Sequence, residues 1–424
     1  MLDIQFIKDH PQEVKKACQN KRTNSALVDQ VIDQDKKRRK LIQDIQSLRE
    51  ERNKLTKDKA EEGREIKKQL KVLEPQLRKV KAEFNSLLAQ IPNLPANDVS
   101  IGKDESENAL VKKWGEIPKF SFKIKDHLQL GEELDLVDVQ RAAKVSGARF
   151  NYLKNQAVLL EFALINYGLE ILLKEGFKPV VPPELTRVAV FHKLGYSQQG
   201  DSEEYYLVFD PNKEDPQEGK NYYLIGTAEH ALVPMHKDEI LDPDQLPLRY
   251  VGFSSAFRRE AGSYGKDTRG ILRVHQFDKL EMVSFVKPQK KSDQKEQEYL
   301  LSLAEKIVQG LEIPYRLVKM CTGDLGHPTA RKFDIECWLP SQEKYRETHS
   351  ISSCTDYQSR ALKIRYRGKD NQTDFVDTLN GTAIAIGRTI IALLENNQQE
   401  DGSVKIPKVL QKYLGFKTII PPKK

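Results

Sequence analysis

Two stretches of the sequence concentrate side chains that suit a charged ligand. The first, "FRREAGSYGKDTRGILRVHQFDKLEM", runs from Phe257 to Met282 and carries five basic residues close together: Arg258, Arg259, Lys266, Arg269 and Arg273. Arginine can hold phosphate oxygens through two parallel hydrogen bonds, and the intervening glycines permit a tight turn. The stretch therefore indicates a site for a ligand with several phosphates. The alternative is a structural hairpin with cross-strand ion pairs, each contributing about 0.2–1 kcal/mol.

The second stretch, "NGTAIAIGRTIIALLENNQ", spans Asn380 to Gln398 and looks at first like a phosphate-binding loop. A Walker A loop has four residues between its glycines and then a Lys. Here five residues separate Gly381 from Gly387, and Arg388 stands where the Lys would be. We therefore predict a strand that turns at Gly387 into a helix, so that one segment carries both Thr382 and Arg388.

The residues around these stretches predict a mainly antiparallel sheet. Short apolar runs rich in β-branched residues alternate with glycine and proline, as in "NYYLIGTAEH", "LPLRYVGFSSAF" and "RKFDIECWL". Helical patterns occur at about 157–175, 294–311 and 387–397. Many strands with few intervening helices favour an α+β fold, in which an antiparallel β-sheet is flanked by helices. A Rossmann sheet is not expected, because no GxGxxG follows a predicted strand.

A different pattern fills the N-terminal part of the chain. From Leu27 to Ile91 the sequence reads as helix, with apolar residues spaced alternately by three and four in its second half and more loosely in its first half. In the second half of the span these are Leu70, Leu73, Leu77, Val80, Phe84, Leu87 and Ile91. The pattern predicts an antiparallel coiled-coil hairpin, about 45 Å long, that folds back at Gly63. Pro75 lies inside the second helix and predicts a kink or local break there.

The outer faces of this hairpin are basic. The residues concerned are Lys36 to Lys40, Arg49, Arg52, Lys54, Lys57, Lys59, Lys67, Lys68, Lys71, Arg78, Lys79 and Lys81. A solvated coiled-coil surface is one explanation, and contact with a nucleic-acid backbone is the other. The following segment, Ile91 to Glu116, contains two prolines and no clear period, which predicts a linker.

Composition excludes several classes of protein. The chain has 424 residues, 38% of them hydrophobic and 31% charged, with a net charge of +7, which suits two or three domains. No run approaches the ~18 apolar residues of a membrane helix. The start, "MLDIQFIKDHPQEV", is unlike a signal or transit peptide. The four cysteines show no CxxC spacing, so we expect no zinc site, no disulfide framework and a reduced, cytoplasmic setting.

Taken together, these stretches resemble the motifs of class II aminoacyl-tRNA synthetases. The first stretch resembles motif 2 (about 253–282), the second resembles motif 3 (about 379–398), and "EGFKPVVPPEL" resembles motif 1 (about 174–184). With "GTAEH" upstream of motif 2 and a basic N-terminal hairpin, the chain is similar to the bacterial-type seryl-tRNA synthetase family over essentially its whole length.

The resemblance also implies a domain arrangement and a reaction. A tRNA-binding domain would span 1–105, with its arm at about 27–91, and a catalytic domain would span 106–424. In this family the serine carboxylate attacks the α-phosphate of ATP, giving seryl-adenylate and pyrophosphate. Serine then passes to the 3′ end of tRNA(Ser), and the family allows tRNA(Sec) as a second acceptor. Positioning and charge neutralisation can supply most of such catalysis, so no side-chain nucleophile is required.

ATP binding is implied for residues that match the family's motifs. Arg258 would grip the α-phosphate and Arg388 would approach the γ-phosphate, and these two are the implied catalytic residues. Glu260 would accept from the adenine amino group, while Val274 would lie against the nucleotide and Phe277 would stack on adenine. The other implied ATP contacts are Arg259, Glu347, Thr348, His349 and Ser350, of which Glu347 and Ser350 would also hold Mg²⁺ through oxygen.

The implied serine pocket consists of Thr227, Ala228, Glu229, Glu281 and Thr382. Acidic groups suit the substrate ammonium, and a carboxylate with a hydroxyl suits the substrate OH. Taken singly, Thr227 could instead cap a helix and Thr382 could be a loop hydroxyl. Phe277 could equally be a core aromatic, and Glu347 could be a partner in a strand salt bridge. Arg259 and the segment "RETHSISSCTDYQSRA" depart from the residues usual in the family.

The resemblance finally implies partners. Motif 1, with Gly176 and Pro183, implies a C2 homodimer, and the basic hairpin would contact the variable arm and elbow of the tRNA. Two other interpretations remain: a synthetase-like paralogue that binds RNA without catalysis, and a ligase for another small amino acid or a carrier protein. The presence of Arg258 and Arg388 argues against the paralogue, and the RNA-type arm argues against a carrier protein.

Overall fold

The computed structural model describes residues 1–56, 59–196, 204–209, 221–261, 270–289, 291–368 and 371–422. Backbone contacts divide the chain into two units, Met1–Leu94 and Pro95–Lys424. The basic loop residues Lys266 and Arg269 and the arm residue Lys57 lie outside the described residues.

The N-terminal unit is entirely helical in its described part. Its helices are α1 (Ile4–Asp9), α2 (Pro11–Asn20), α3 (Leu27–Lys54) and α4 (Ala60–Ala89). The Asp3 side chain accepts from the Gln5 amide to cap α1, and Pro11 opens α2 where a missing N–H costs nothing. Val14 and Val31 are fully buried where α2 packs against the base of α3.

Helices α3 and α4 form the predicted antiparallel hairpin. Gln34 donates to Glu83 at 2.7 Å, and Arg49 donates to Glu74 at 2.8 Å, so the residues near one end of α3 pair with those near the opposite end of α4. The apolar seam is present between them, comprising Ile45, Leu48, Leu55, Ile66, Leu70, Leu73 and Leu77. Because neither helix could bury this stripe alone, the pairing stabilises both.

Two details of the hairpin differ from the sequence prediction. The chain does not fold back at Gly63, because α3 ends at Lys54 and α4 begins at Ala60, which places Gly63 inside the first turns of α4. The helix α4 also runs through Pro75 without a local break, so of the two effects predicted for Pro75 the break is wrong and the kink stays a prediction. Pro75 has no backbone N–H, so the carbonyl of Lys71 loses its hydrogen-bond partner in the helix. Both residues are exposed, so water can hydrogen bond to that carbonyl.

The C-terminal unit is built on an eight-stranded sheet. Its helices are α5 (His127–Glu133), α6 (Val139–Ser146), α7 (Gln156–Lys174), α8 (Val188–Phe191), α9 (Glu229–Leu232), α10 (Ser292–Gly310), α11 (Tyr357–Leu362), α12 (Ile386–Asn396) and α13 (Lys408–Gln411). Its strands are β1 (Ala109–Trp114), β2 (Val137–Asp138), β3 (Tyr152–Leu153), β4 (Lys178–Val180), β5 (Leu185–Arg187), β6 (Leu207–Val208), β7 (Tyr222–Leu224), β8 (Ile240–Leu241), β9 (Leu248–Phe257), β10 (Gln276–Val286), β11 (Tyr315–Lys319), β12 (Arg331–Leu339), β13 (Lys344–Thr355), β14 (Arg365–Arg367), β15 (Thr373–Phe375), β16 (Asp377–Ala385), β17 (Val404–Lys405) and β18 (Thr418–Ile419).

The strand order of the main sheet is β1-β11-β12-β13-β16-β10-β9-β4. Every pairing in it is antiparallel except that of β4 with β9. The predicted α+β fold with a flanked antiparallel sheet is confirmed. The predicted linker over 91–116 is wrong in its last part, since β1 pairs with β11 there. This edge strand is exposed along nearly all its length, so its sequence lacks the alternation of a half-buried strand.

Helices α7, α10 and α12 pack on the sheet and bury its main core. Gly168 lets α7 approach closely, because a Cβ there would lie 2.7 Å from Leu280 and 2.9 Å from Ile384. Helix α7 is also the one helix in the described part of the chain long and apolar enough to cross a membrane, and its inner face is packed in this core. Such a composition is ordinary for a core helix.

The predicted turn from strand to helix is confirmed at the centre of the sheet. Strand β16 is buried along its whole length, ends at Ala385, and continues without a loop into α12 at Ile386. One segment therefore places Thr382 on the sheet and Arg388 in the first turn of a helix.

Candidate active site

A cavity of about 300 Å³ opens on one face of the sheet, over β10, β12, β13 and β16 and the start of α12. Twelve of the residues predicted from the sequence line it: Thr227, Glu229, Arg258, Glu260, Val274, Phe277, Glu281, Glu347, Thr348, Ser350, Thr382 and Arg388. These residues are separated by up to 161 positions in the chain, and the antiparallel sheet brings them together.

Arg258 lies just past the end of β9 and is held by the neighbouring strand. Its amide donates to the His275 carbonyl at 2.9 Å, and its Nε donates to the Gly226 carbonyl at 3.2 Å. The guanidinium carbon lies 5.4 Å from the centre of the Phe277 ring. Burial lowers the pKa of Arg258, but Tyr205, Glu347 and other acidic groups outweigh it and raise the pKa overall. The guanidinium thus remains a fixed cation beside an aromatic face.

Arg388 crosses the cavity from the first turn of α12. Its Nη1 donates to the Glu347 carbonyl at 2.9 Å and lies 3.4 Å from a Glu347 carboxylate oxygen. Its Nε donates to the Leu272 carbonyl at 3.4 Å. Burial acts to raise the pKa of Glu347, but Arg388, Lys332 and Arg258 lower it well below its ordinary value. The carboxyl of Glu347 is therefore kept ionised at the cavity mouth.

Glu260 adopts an unusual backbone conformation for a residue with a side chain. Its φ is +51°, in the left-handed region that costs strain outside glycine. One carboxylate oxygen accepts from Arg273 at 3.1 Å, and its carbonyl accepts from Arg149 at 3.4 Å. These contacts aim the carboxylate into the cavity, beside Val274.

A smaller, polar compartment lies deeper, where β10 and β16 run side by side. Glu281 and Thr382 are direct cross-strand partners, and both are nearly fully buried. Lys279 lies on the same face of β10 and forms an ion pair with Glu281 at 2.7 Å. Burial lowers the pKa of Lys279, while Glu281 raises it. A carboxylate, a hydroxyl and an ammonium therefore face one small space.

Glu229 closes this compartment and is held by three hydrogen bonds. Tyr196 donates its hydroxyl to the two carboxylate oxygens at 2.9 and 3.0 Å, and Gln358 donates to one of them at 2.8 Å. Gln358 is fixed in turn by Thr378, which donates to its side-chain oxygen at 2.9 Å. Burial raises the pKa of Glu229 to about 7, with a contribution from the charge of Glu281.

Thr227 lines the cavity and is not the N-cap residue of α9. Its hydroxyl accepts from the Glu229 amide at 3.4 Å, but the N-cap residue is Ala228 and α9 has no side-chain cap. The helix-capping alternative for Thr227 is therefore wrong.

The face of β12 next to β13 carries a buried charged group. Asp334 is the cross-strand partner of Ser350, and its Oδ2 lies 3.2 Å from the ammonium of Lys332. Burial raises the pKa of Asp334 above its ordinary value, although Lys332 acts to lower it. Its Oδ1 has no hydrogen-bond partner among the described residues. Side-chain oxygen atoms that could bind a metal ion thus lie close together here, beside Glu347.

Three predicted residues do not line the cavity. Arg259 is exposed just beyond the end of β9, and its amide donates to the Glu204 carbonyl at 2.7 Å. Ala228 packs beneath the cavity, where a Cβ at Gly252 would lie 2.9 Å from it. His349 points into the core, its Nδ1 lying 2.8 Å from Thr348.

Other lining residues were missed by the sequence analysis. They are Tyr196, Tyr205, His230, Ile271, Leu272, Lys279, Gly326, Thr329, Lys332, Ser352, Asn380, Ala385 and Gly387. Lys279 and Asn380 precede Glu281 and Thr382 by two positions on their strands, so the two-residue alternation alone would have found them. No local signal marks Tyr196 or Lys332.

The described part of the chain holds no group of three or more His, Cys, Asp or Glu side chains arranged to bind a metal. The four cysteines are free and buried.

Comparison with known proteins identifies the class and then the family. The family model of the class II tRNA synthetase core domain (G, H, P, S and T) matches residues 209–397, which contain six of the eight strands of the main sheet and most of the residues that line the cavity. The fold is thus that of a class II aminoacyl-tRNA synthetase. The model of the seryl-tRNA synthetase N-terminal domain matches residues 1–95.

Full-length relatives specify the family. Serine–tRNA ligases of Dictyoglomus turgidum and Thermococcus onnurineus are 44% and 43% identical, and the alignments cover 100% and 99% of this chain and 100% and 97% of theirs. The crystal structure of seryl-tRNA synthetase from Pyrococcus horikoshii complexed with ATP is 40% identical, with a TM-score of 0.89 and full coverage of both chains. The chain belongs to the seryl-tRNA synthetase family, whose members are ligases that charge tRNA with serine.

Proposed function

We propose that this chain activates L-serine with ATP to seryl-adenylate and transfers the serine to the 3′ end of tRNA(Ser). The observation that supports it best is the pairing of two compartments in one cavity. Arg258 and Arg388 supply fixed positive charge in the outer compartment, and Glu229, Glu281 and Thr382 form a small polar compartment beside it. Their contiguity suits a reaction that joins an amino acid to a nucleotide.

In the activation step, the bond that forms joins the serine carboxylate to the α-phosphorus, and the bond that breaks releases pyrophosphate. Arg258 would neutralise charge that builds on the α-phosphate, and Arg388 would bind the departing phosphates. Phe277 would stack on adenine, against which Val274 would lie, and Glu260 would accept from its amino group. Every one of these side chains lines the outer compartment.

Selection of serine would take place in the inner compartment. The ionised Glu229 would pair with the substrate ammonium, and Glu281 with Thr382 would hydrogen bond its hydroxyl. Because both partners of the hydroxyl are buried, alanine would leave them unsatisfied, which disfavours it strongly. Threonine would be excluded by the limited volume rather than by polarity.

The oxygen donors beside Arg388 fit Mg²⁺, which prefers hard oxygen ligands. Glu347 is held anionic, and Ser350 lies on the same strand, next to the unpartnered oxygen of Asp334. Glu347 and Ser350 would hold the ion, which supplies charge neutralisation for the phosphates when bound. Thr348 supports this strand from inside, donating to the Ile335 carbonyl at 3.2 Å.

The helical hairpin would bind the tRNA. Its lysines and arginines outside the seam are almost all exposed, and Lys68 retains 77% of its side-chain surface. A long basic rod suits the phosphate backbone and shape of a folded RNA. The second reaction step, in which the 3′-terminal ribose hydroxyl attacks the adenylate carbonyl and AMP leaves, would follow once the tRNA is held.

A C2 homodimer is the proposed assembly. The outer face of α7 exposes Leu159, Phe162 and Leu173, and Val181, just after β4, is 81% exposed. An apolar patch on a helix and the strand beside it suits a self-complementary interface in the region of motif 1. Translation enzymes of this kind act in the cytoplasm, which is the proposed location.

The test is aminoacylation of tRNA(Ser) with labelled serine, ATP and Mg²⁺. The proposal expects charging with serine and none with alanine or glycine. Charging with another amino acid would favour a different ligase, and RNA binding without any charging would favour a non-catalytic paralogue.

A further inference from the structure

A buried pair outside the cavity, His127 and Glu395, has no part in the roles above. Glu395 lies on α12, two turns beyond Arg388, and is fully buried, while His127 opens α5 and is 6% exposed. The Glu395 carboxylate accepts from the His127 amide and lies near its ring Nδ1, both at 3.0 Å, through one oxygen. Its other oxygen accepts from the Ser341 amide at 3.0 Å. The carboxylate is thus fixed on both sides.

The opposite side of the imidazole faces the backbone of motif 2. The amide of Ile271 donates to His127 Nε2 at 3.4 Å. The ring also lies close to Gly270, whose φ is +81°. A Cβ at this position would lie 2.1 Å from Nε2. Since Nε2 accepts here, the ring hydrogen is assigned to Nδ1, which donates a hydrogen bond to the Glu395 carboxylate. One tautomer of one histidine therefore joins α12 to Ile271.

Ile271 and the next residue bear directly on the cavity. Ile271 and Leu272 both line it, and the Leu272 carbonyl accepts from Arg388 Nε at 3.4 Å. Arg388 and Glu395 belong to the same helix, so α12 contacts the backbone of Ile271–Leu272 at two points. One contact is made by Arg388, and the other is made by Glu395 through His127. The segment from Gly270 to Leu272 thus has its position fixed from both sides.

We propose that His127 and Glu395 are positioning residues for the nucleotide compartment, which set the place of Ile271–Leu272 and, through the Leu272 carbonyl, of Arg388. The proposal rests on the assignment of ATP to this compartment. Serine contacts none of these residues in the proposed arrangement, so the effect should fall on ATP and spare serine.

Two substitutions of the histidine separate its two hydrogen bonds. His127→Asn keeps a donor near the position of Nδ1 and loses the acceptor at Nε2. His127→Gln places an amide oxygen at about the reach of Nε2 and can still accept from Ile271. Loss of one such hydrogen bond corresponds to about a fivefold change in affinity. We expect His127→Asn to weaken ATP binding by about that factor, with the serine KM unchanged, and His127→Gln to restore it.

A matched pair of carboxylate variants tests the role of Glu395. Glu395→Gln presents an amide NH₂ either to the Ser341 amide or to His127, and we expect it to weaken ATP binding as His127→Asn does. Glu305→Gln is the control, because Glu305 is also buried, at 8% exposure, and accepts from Tyr315 at 2.5 Å, but lies on α10 and does not line the cavity. It should lower thermal stability without changing the ATP affinity.

The measurements are ATP Kd by calorimetry, the KM of each substrate in pyrophosphate exchange, and the melting temperature. The proposal is supported if ATP binds more weakly to His127→Asn and Glu395→Gln. It also requires that ATP affinity is restored in His127→Gln and unchanged in Glu305→Gln. A folded His127→Asn with unchanged ATP Kd overturns it, as does equal weakening of ATP and serine in all variants. If His127→Asn does not fold, Glu395→Gln decides in the same way. Failure of the parent assignment is distinct, because Arg388→Ala would then also leave ATP Kd unchanged.

Discussion

Arg388 and Glu347 meet across the mouth of the cavity, with Arg388 Nη1 2.9 Å from the Glu347 carbonyl and 3.4 Å from its carboxylate. The two residues come from different elements, one from the first turn of α12 and the other from β13. The contact keeps an anion and a cation side by side at the point where a polyphosphate and its metal ion would enter. It also fixes Arg388 before any substrate arrives, which lowers the reorganisation required for catalysis.

Replacement of Arg388 should disable activation without unfolding the protein. Arg388→Ala removes a cation that would bind the departing phosphates, and we expect kcat/KM for ATP in pyrophosphate exchange to fall by about a hundredfold or more. Arg388→Lys keeps the charge but loses the fork that reaches the two carbonyls, so it should recover only part of the activity. Circular dichroism and the melting temperature should match the wild type. Near-normal exchange in Arg388→Ala would refute this role.

The raised pKa of Glu229 predicts how serine binding depends on pH. Burial holds its pKa at about 7, so the carboxylate becomes available to the substrate ammonium as the pH rises from 6 to 8. The serine KM should therefore fall across that range, while the ATP KM changes little. Glu229→Gln should raise the serine KM by about tenfold and flatten its pH dependence. A serine KM that keeps its full pH dependence in Glu229→Gln would assign the titration to another group.

Thr382 and Glu281 predict the discrimination between serine and alanine. Thr382→Val keeps the shape and removes the hydroxyl, so kcat/KM for serine should fall by about tenfold while alanine gains relative to it. The ratio of the two amino acids in pyrophosphate exchange measures this directly. An unchanged ratio would place recognition of the substrate hydroxyl elsewhere. The fold should persist, because valine suits the buried position on β16.

Shortening the hairpin should separate the two steps of the reaction. Gln34 and Glu83 are neighbours across the hairpin, so the chain between them can be replaced by a short turn. We expect serine activation to continue at near its normal rate and tRNA charging to be lost. Neutralising the exposed lysines of α4 should weaken tRNA binding in proportion and reduce its salt dependence. Loss of adenylate formation in a folded shortened protein would contradict this division of labour.

Some of this arrangement follows from sequence and some does not. The β16–α12 segment is predictable because a buried strand and a helix leave distinct patterns on either side of Gly387. The turn of the hairpin is not predictable in this way. By propensity alone Gly63 is the residue best suited to a turn, yet with the apolar seam packed the chain turns before Gly63, between α3 and α4. Propensity yields to tertiary packing there.

The cavity likewise contains residues that the sequence predicts and residues that it does not. Arg258 and Arg388 stand out by their type and by the glycines around them. The support of Glu229 comes from Tyr196 and Gln358, which lie 33 positions before it and 129 after it, and only the tertiary fold brings them together. Arg259 is the converse case, since its type suggests a site but the folded chain leaves its side chain exposed and outside the cavity lining.

The most direct test of the account is amino-acid-dependent exchange of pyrophosphate into ATP by the full chain, with serine, alanine, threonine and glycine compared at equal concentrations. We expect rapid exchange with serine and little with the other three. Exchange with none of the four, or faster exchange with one of the other three than with serine, would contradict it.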